Sequence, residues 1–191
     1  MPRMLRADAQ DNRDRMLMAA RALFSERGLD VGMREVARRA EVGPATLYRR
    51  FPTKQDLIAG AFAVEVQSCR QIVVDGCADS DAWRGFVSVV RRLMALNARN
   101  RGFVDAFMST DPSADFLSRH RRELLEMLDR LGRRARIQGS LRQDFVIDDL
   151  VLILRAGRGL ASVDPTDRDD AASRFATLAI DAFRAPGSGA D

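Results

Sequence analysis

Five side chains that could bind phosphate lie within a stretch of nine residues in the N-terminal third of the chain. Thr46 and Tyr48 carry hydroxyls, Arg49 and Arg50 carry guanidinium groups, and Lys54 is the single lysine of the chain. Hydroxyls and cations of this kind bind the phosphate oxygens of nucleic acids, and such contacts position a protein on its target without reading the base sequence. The cluster therefore predicts a surface that binds a phosphate backbone.

A helix-turn-helix is the element that the surrounding sequence predicts for this cluster. A helix is expected to begin near Met33, with Gly32 as a weak N-cap, and to bury an apolar stripe that ends at Ala40. In the turn that follows, Gly43 can cap the next helix and Pro44 fits its first position, where the missing N–H is no loss. A short helix after so tight a turn can enter a DNA groove.

The second helix of this motif is expected to run from Ala45 to Arg50, with Leu47 and Phe51 facing the core. The residues at its N-terminal end have small side chains, so this end can approach base edges or a thymine methyl closely. That end consists of Gly43, Pro44 and Ala45, and the outward positions of the helix are Ala45, Thr46, Tyr48, Arg49 and Arg50.

Several of these assignments have alternatives. Lys54 is expected in the first turn of the next helix, where its ammonium and the free backbone N–H groups form an anion site. Arg34 could reach a phosphate or a base, but a solvated charge is an equally good interpretation. One of Arg49 and Arg50 is expected to face DNA, and Tyr48 could instead be partly buried with a solvated hydroxyl.

The passage AARALFSERGLDVGMREVARRAEVGPATLYRRFPTKQDLIAGAF resembles the N-terminal domain of the TetR (TetR/AcrR) family of bacterial repressors. The resemblance implies a homodimeric, ligand-responsive transcriptional repressor with a fold of about nine helices. It also gives Thr46 and Tyr48 the role of phosphate contacts.

The same resemblance divides the chain into two domains. Residues 9–69 are expected to form the DNA-binding domain, with its helix-turn-helix at 32–51, and residues 80–185 the effector-binding and dimerisation domain. The chain departs from the usual family pattern at Gly32 and Gly43, where the family often has a hydroxyl side chain. Glycine costs only a few tenths of a kcal/mol as an N-cap, so the fold is expected to form, but these two positions offer no side-chain oxygen to a phosphate.

Composition and charge are compatible with a folded protein that meets nucleic acid. The chain is 46% hydrophobic and 30% charged, which is typical of globular rather than disordered proteins. Residues 1–70 contain 13 Arg or Lys against 9 Asp or Glu, whereas residues 71–191 contain 18 of each. The net charge of +4 therefore lies with the helix-turn-helix, as a phosphate-facing surface requires, although so small an excess also arises by chance.

Other classes of protein find little support. No apolar run approaches the roughly 18–20 residues of a membrane span, and residues 1–15 contain no apolar signal region, so a cytoplasmic protein without a membrane partner is expected. Cys69 and Cys77 are too few for a zinc site and are expected to be reduced core thiols. The single histidine, His120, offers no catalytic or metal cluster, so no cofactor, metal or enzyme activity is predicted.

Helical periodicity extends over the whole chain and predicts an all-α fold. A flexible basic arm at 1–10 is expected to precede a first helix that ends at Gly28. A capping box at Thr53–Asp56 is expected to open a long fourth helix that joins the head to the body. After a polar break at 76–81 five more helices follow, and a Pro/Gly/Ser tail at 185–191 is expected to be disordered.

The last two helices are expected to form an isologous dimer interface. The helix predicted at 147–160 is apolar on every side in its first half, so one flank is expected to face a second subunit, although a central core helix in a monomer is the alternative. The last helix is expected to begin at Asp164-Pro165. A dimer built on these two helices could place its two DNA-binding heads on the two half-sites of a palindromic operator. The interface residues are predicted to be Leu150, Leu154, Gly157, Phe175, Leu178 and Phe183.

An effector pocket is expected within the body. Asn97 and His120 each interrupt an apolar stripe, and a buried polar group needs a partner, either protein or a ligand between the helices. The stripe that contains His120 belongs to a helix expected to run from Asp111-Pro112 to about Gln138. Adaptable and aromatic side chains would suit a small, largely apolar effector. The predicted lining is Phe62, Met94, Asn97, Phe103, Phe107, His120, Leu124 and Met127.

The leading interpretation is a dimeric DNA-binding repressor that a small ligand releases from its operator. The ligand would move the fourth helix and change the separation of the two recognition helices, with a coupling of about 1–3 kcal/mol. An effector-independent regulator or an activator of the same fold is the alternative, and a small all-α enzyme is a more distant one. A closed cavity on the order of a few hundred Å³ would favour the ligand, and a solidly packed body the alternative.

Overall fold

The structure, a computed structural model, describes residues 2–110 and 114–187. Its helices pack around one continuous apolar core that extends through head and body. The elements are α1 Pro2–Arg27, α2 Met33–Arg39, α3 Pro44–Arg50, α4 Lys54–Ala61, α5 Ala63–Ala78, α6 Ala82–Arg99, α7 Arg101–Phe107, α8 Asp115–Ile137, α9 Ile147–Ala156, a 3-10 helix Gly157–Ser162, and α10 Arg168–Phe183.

The head is built on α1, which packs against α2, α4 and α7. Phe24 of α1, Val36 of α2 and Leu47 of α3 are all buried. As the sequence predicts, α1 stops at Gly28, which takes a left-handed conformation with φ 75°, and the apolar Leu29 then folds back into the core.

The link from head to body is bent by 57° at Phe62, so α4 and α5 replace the single long helix that periodicity predicts. The ring of Phe62 packs between Phe24 of α1 and Phe103 of α7, with centroid separations of 6.1 and 5.8 Å. A continuous helix would carry this ring past both neighbours. The bend also explains why the described residues contain ten α-helices where about nine are expected.

Hydrogen bonds from Arg21 hold the bend in place. Its Nε donates to the carbonyl oxygen of Ala61, the last residue of α4, and its Nη2 donates to a carboxylate oxygen of Glu65 at 3.0 Å. Glu65 is 7% exposed, so this charge depends on its arginine partner. One side chain of α1 therefore satisfies groups on both sides of the break.

The body is organised around α6, which packs against α5, α8 and α10. Phe86 of α6 is fully buried, and its ring meets Phe145 and Phe183 edge-on at centroid separations of 5.5 and 5.9 Å. Val90 and Leu93 of the same helix are also buried, whereas Trp83 is half-buried.

At the N-terminus, the backbone of residues 2–10 continues α1, so the flexible arm expected there is wrong. Pro2 suits the first position of a helix, and most of the residues after it have good helix propensity. The helix start predicted at Asp111-Pro112 and the tail residues 188–191 lie outside the described residues.

Two helix bounds near the C-terminus also differ from expectation. The α-helix that begins at Ile147 ends at Ala156 and continues as the 3-10 helix rather than running unbroken to Leu160. The last helix begins at Arg168, because Asp164 accepts the backbone N–H of Thr166 at 3.0 Å and forms a turn first.

No single helix within these described ranges is long and apolar enough to cross a membrane, although α4 and α5 pass that test as a bent pair.

The crossing of α5 and α6 has room only for glycine. A Cβ atom on Gly85 would lie 2.2 Å from the carbonyl oxygen of Gly76, and one on Gly76 would lie 2.3 Å from a methyl of Val89. The obstacle at Gly85 is backbone, so no rotamer change relieves it. The two helices can touch only while both positions lack a side chain.

Gly85→Ala is expected to lower the free energy of unfolding by about 3 kcal/mol, because α5 and α6 must separate to admit the methyl group. The matched control is Gly159→Ala, where a Cβ would meet no atom within 4 Å, and it should change the stability by less than about 0.5 kcal/mol. Urea denaturation of both variants provides the measurement. Equal stability of the two would contradict the tight crossing.

Candidate nucleic-acid interface and body cavity

The turn between α2 and α3 is closed by backbone hydrogen bonds. The N–H of Val42 donates to the carbonyl oxygen of Ala37 at 3.0 Å, and that of Glu41 donates to Arg38 at 3.2 Å. This is the pattern of a Schellman motif, in which one residue must be left-handed. Glu41 takes that conformation with φ 55°, and Gly43, with an ordinary φ of −65°, is the N-cap of α3 as predicted.

The first turn of α3 is capped by backbone alone. The N–H groups of Thr46 and Leu47 donate to the carbonyl oxygen of Gly43 at 2.9 and 3.2 Å, and Pro44 occupies the first helical position as predicted. Leu47 has no exposed surface, and Phe51 at the C-cap is only 5% exposed. The orientation of α3 is therefore fixed by the side that packs on the core, and its remaining positions face away from the core.

The structure places most of the predicted DNA contacts at the surface. Tyr48 is 45% exposed, so it is partly buried, and its hydroxyl has no hydrogen-bond partner among the described residues, which agrees with the alternative of partial burial with a solvated hydroxyl. Thr46 and Lys54 are half-buried. The other predicted contacts, all exposed, are Arg34, Gly43, Pro44, Ala45, Arg49 and Arg50.

Four of these residues are cations without an acidic partner. Within residues 10–110 and 114–187, no carboxylate lies within 4.0 Å of Arg34, Arg49, Arg50 or Lys54. Their positive charge is therefore available to an external anion. Five other head arginines are instead matched with carboxylates, in the pairs Arg13–Asp14, Arg21–Glu65, Arg27–Glu35, Arg38–Glu35 and Arg39–Glu26.

The predicted capping box is confirmed, and it positions Lys54. The N–H of Asp56 donates to the hydroxyl oxygen of Thr53 at 3.1 Å, and the N–H of Thr53 donates to the Asp56 carboxylate at 3.0 Å. Lys54 is thereby fixed as the first residue of α4, four positions after the end of α3. The end of α3 and the start of α4 together form one cationic edge of the head.

A narrow cavity lies in the body, with walls contributed by α5, α6, α7, α8 and α9. The free space in and around it is about 510 Å³, but only about 40 Å³ is wide enough for a water molecule, which is room for a few waters at most. Four of the eight predicted pocket residues line it, namely Asn97, Phe103, Phe107 and Leu124.

The other four predicted pocket residues lie elsewhere. Phe62 fills the junction between head and body, and Met94 is fully buried against Gly157, where a Cβ atom would lie 2.4 Å from its sulfur. His120 and Met127 are half-buried and do not reach the cavity.

The polar residue of α8 that does reach the cavity is Arg121, which the sequence analysis missed. The signal was present, because Leu117, Leu124 and Leu128 are buried at helical spacing and Arg121 falls on the same stripe. His120 lies one residue earlier, about 100° away around the helix.

Both cysteines are free, and Cys69 is a buried core thiol as expected. Burial, followed by the charge of Glu65, raises the pKa of Cys69 to about 12. Cys77 is half-buried, and burial also raises its pKa. Among the described residues, no group of three or more His, Cys, Asp or Glu side chains is arranged to hold a metal ion.

Most of the residues predicted at the dimer interface are not accessible to a second subunit. Leu150, Leu154, Gly157 and Phe183, predicted at the interface, are buried within the chain and offer it no side-chain surface. The apolar flanks of α9 are largely covered by its own body. Phe175 is half-buried, Leu178 is 68% exposed, and Leu152, which the sequence analysis did not select, is 66% exposed.

Two family profiles cover most of the chain. Residues 16–61 match the profile of bacterial regulatory proteins of the tetR family, and residues 81–185 match the C-terminal domain of SbtR-like transcriptional regulators. The second match alone spans more than half of the sequence. The chain belongs to the TetR family.

Relatives of this TetR-family chain agree with the assignment. The regulator SCO0520 from Streptomyces coelicolor is 30% identical, with 92% of this chain and 99% of that one covered and a TM-score of 0.55. SCO3833, also from Streptomyces coelicolor, is 17% identical over 86% and 89% of the two chains, with a TM-score of 0.71.

Two further relatives extend the comparison. The structure of AibR in complex with isovaleryl coenzyme A and operator DNA is 16% identical, with 90% and 97% coverage and a TM-score of 0.67. A helix-turn-helix-type regulator of Staphylococcus aureus (strain USA300) is 41% identical over 54 residues, which span 28% of this chain and 29% of that protein. The similarity to AibR is a similarity of fold. The similarity to the S. aureus protein is limited to a segment of 54 residues.

Lys54→Ala is expected to weaken binding to all DNA sequences about equally, because an ammonium on a phosphate carries no sequence information. Removal of one phosphate-binding charge should reduce the slope of log affinity against log salt concentration by about 0.9. Fluorescence anisotropy with specific and random duplexes at several salt concentrations gives both quantities. Tyr48→Phe should likewise weaken both duplexes to the same extent.

The control for Lys54→Ala is Arg70→Ala, which removes the same charge from α5, outside the cationic edge, where Arg70 pairs with Glu123 at 3.8 Å. It should leave the salt slope unchanged. Loss of preference for one operator, with general affinity intact in Lys54→Ala, would contradict the phosphate assignment.

Proposed function

We propose that this TetR-family protein is a DNA-binding transcriptional repressor that reads its operator with α3. The observation that carries the proposal is the set of four unpaired cations, Arg34, Arg49, Arg50 and Lys54, around a helix whose inner side is fixed. Unpaired guanidinium and ammonium groups on one small domain are the electrostatic footprint of a phosphate-binding protein.

The roles within the interface follow from reach and exposure. Thr46 and Tyr48 donate hydroxyl hydrogen bonds to phosphates on either side of the groove, and Lys54 adds a charge at the edge. Gly43, Pro44 and Ala45 bring backbone and a methyl group close to the base edges, where each good base contact discriminates by about 1–3 kcal/mol. The long, unpaired Arg49 and Arg50 are both available, and at least one of them meets a base or a phosphate.

The proposed repressor acts as a homodimer through α9 and α10. Leu152 of α9 and Leu178 of α10 are large apolar side chains with about two-thirds of their surface exposed. Both residues lie on the helices that the sequence predicts at the interface, where a second subunit related by two-fold symmetry would cover them. A two-fold dimer places one head on each half-site of a palindrome, so operator affinity depends on it.

Leu178→Arg is expected to convert the dimer to a monomer at micromolar concentration, because a charge would be buried without a partner in the interface. Analytical ultracentrifugation measures the change, and operator affinity should fall with it. Val64→Arg on α5 is the matched control, since Val64 is 66% exposed, and it should leave the mass unchanged. A monomeric wild-type protein would overturn the dimer.

An effector acts on this repressor through the contacts that join the cavity to the head. Phe103 and Phe107 line the cavity, and Phe103 contacts Phe62 at the bend between α4 and α5. Phe62 in turn contacts Phe24 of α1. A ligand that displaces α7 would therefore change the angle at Phe62 and with it the separation of the two recognition helices.

A second candidate is a regulator of the same fold that responds to no effector. The narrow interior favours it, because ligand pockets usually measure about 300–1,000 Å³. The side-chain amide of Asn97 on the cavity wall favours the ligand-responsive form, since a solid structural core rarely contains such a group without a hydrogen-bond partner.

Selection of binding sites from a pool of random duplexes by the purified protein tests the proposed function. The expected result is enrichment of a palindrome whose half-sites are separated by about one helical turn or a multiple of it. In vitro transcription from a promoter that contains this site should then decrease, whereas an increase would indicate an activator. Failure to enrich any sequence at low salt would overturn sequence-specific DNA binding.

A further inference from the structure

A groove on the surface of the body adjoins the inner cavity. Arg121 and Leu125 of α8 line both the inner cavity and the outer groove, so these two side chains stand between them. The outer groove lies between α8 and Ile147 at the start of α9 and is lined by Arg122 and Glu126 as well. If these two side chains move apart, a molecule can have one part in water and another among apolar side chains, with Arg121 where the two meet.

The side chain of Asn97, in the wall of the inner cavity, lacks a protein hydrogen-bond partner among the described residues. Asn97 is only 7% exposed, lines the cavity, and its side-chain amide makes no hydrogen bond to any other described residue. Buried amides are almost always paired with protein, water or ligand. Asn97 thus offers both a donor and an acceptor to whatever enters the cavity.

Arg121 is fixed by hydrogen bonds, but among the described residues only one of its three guanidinium nitrogens takes part in them. Its Nη1 donates to the carbonyl oxygens of Phe107 and, at 3.4 Å, of Ser109, which lie at and just beyond the C-terminal end of α7. Among the described residues, Nε and Nη2 make no hydrogen bonds. The edge of a guanidinium group that carries Nε and Nη2 can bind a carboxylate through two parallel N–H···O bonds.

The positive charge around Arg121 is not balanced locally. Within the part of the chain that the structure describes, no carboxylate lies within 4.0 Å of Arg121, Arg122 or Arg155. Burial, followed by the charges of Arg155 and Arg122, lowers the pKa of Arg121 below its ordinary value. An anion placed on Arg121 would relieve this repulsion, although the carboxylate of Glu126 also faces the groove.

The other carboxylates near this cluster are engaged. Asp105 pairs with Arg158 at 2.9 Å, and Asp129 in the outer groove pairs with Arg133. Neither is available to neutralise Arg121 without losing its own partner.

We propose that the effector of this regulator is an amphiphilic carboxylate, with its carboxylate on Arg121 and Asn97 and its apolar tail between α5, α7 and α8. The proposal rests on the ligand-responsive function proposed above and specifies the chemistry of its ligand. The tail is slender and flexible, because the cavity has room for only a few water molecules and an extended chain displaces fewer wall residues than a bulky ring. Met108 and Leu125 are adaptable wall residues that can yield to it.

The test is titration calorimetry of the full-length protein with sodium octanoate, decanoate and dodecanoate below their micelle-forming concentrations. Octanol and decanol provide the same tails without a charge. The carboxylates are expected to bind the wild-type protein, and the alcohols to bind more weakly. Arg121→Gln should weaken carboxylate binding by about tenfold or more, because charge-assisted hydrogen bonds are removed, and should change alcohol binding by less than about threefold.

Matched variants keep the result interpretable if Arg121→Gln is unstable. Arg121→Lys retains the charge without the two-pronged edge and should recover part of the carboxylate affinity. Arg119→Gln removes an exposed charge of the same helix that pairs with Asp115 at 3.4 Å, and it should bind as the wild-type protein does. Thermal unfolding of each variant without ligand reports whether it folds.

The outcome separates this proposal from the function on which it rests. If the protein binds its selected operator but none of the carboxylates, or binds carboxylates and alcohols equally, the amphiphile proposal is wrong while DNA binding stands. If no operator is bound in the absence of any ligand, the proposed repressor function itself fails. Carboxylate binding that Arg121→Gln leaves unchanged would show that the head group lies elsewhere.

Discussion

The burial of one side of α3 is the constraint on which the proposed DNA-binding surface depends. A helix of seven residues is too short to be stable by itself, so its orientation is set by what it packs against. Leu47 is fully buried, and successive residues of a helix are about 100° apart. Because Leu47 points into the core, Tyr48 and Arg49 must point away from it. Pro44, at the N-terminal end of the helix, is exposed at the surface.

The second anchor, Phe51, ties this helix to the rest of the head. Its ring approaches Gly60 of α4 so closely that a Cβ there would lie 3.1 Å away, and the guanidinium of Arg13 of α1 lies 6.0 Å from the ring centroid. Through α1, the same unit reaches the bend at Phe62, because Arg21 bonds both sides of it. The recognition surface and the body are therefore linked by packed side chains, which is the physical requirement for one to influence the other.

The sequence predicted those parts of the structure that local chemistry decides. Periodicity located the helices of the head, and the cap at Thr53 and the stop at Gly28 were confirmed because each depends on neighbouring residues only. The bend at Phe62 was missed because the groups around it are satisfied by Arg21, about forty residues away in sequence. Leu154 and Phe183 were assigned to an interface because an apolar stripe does not reveal whether its own chain or a second one covers it. Arg121 was overlooked although it lies on a buried stripe, since a single arginine in a chain with 31 basic residues carries little weight by type alone.

Amide hydrogen exchange of the full-length protein, with and without the duplex it selects, tests most directly whether α3 and the start of α4 form the DNA-binding surface. The backbone of residues 43–54 should exchange more slowly in the complex than in the free protein, and more strongly so than any other surface segment. Unchanged exchange across 43–54, together with protection on a different face of the head or on the body, would contradict the account.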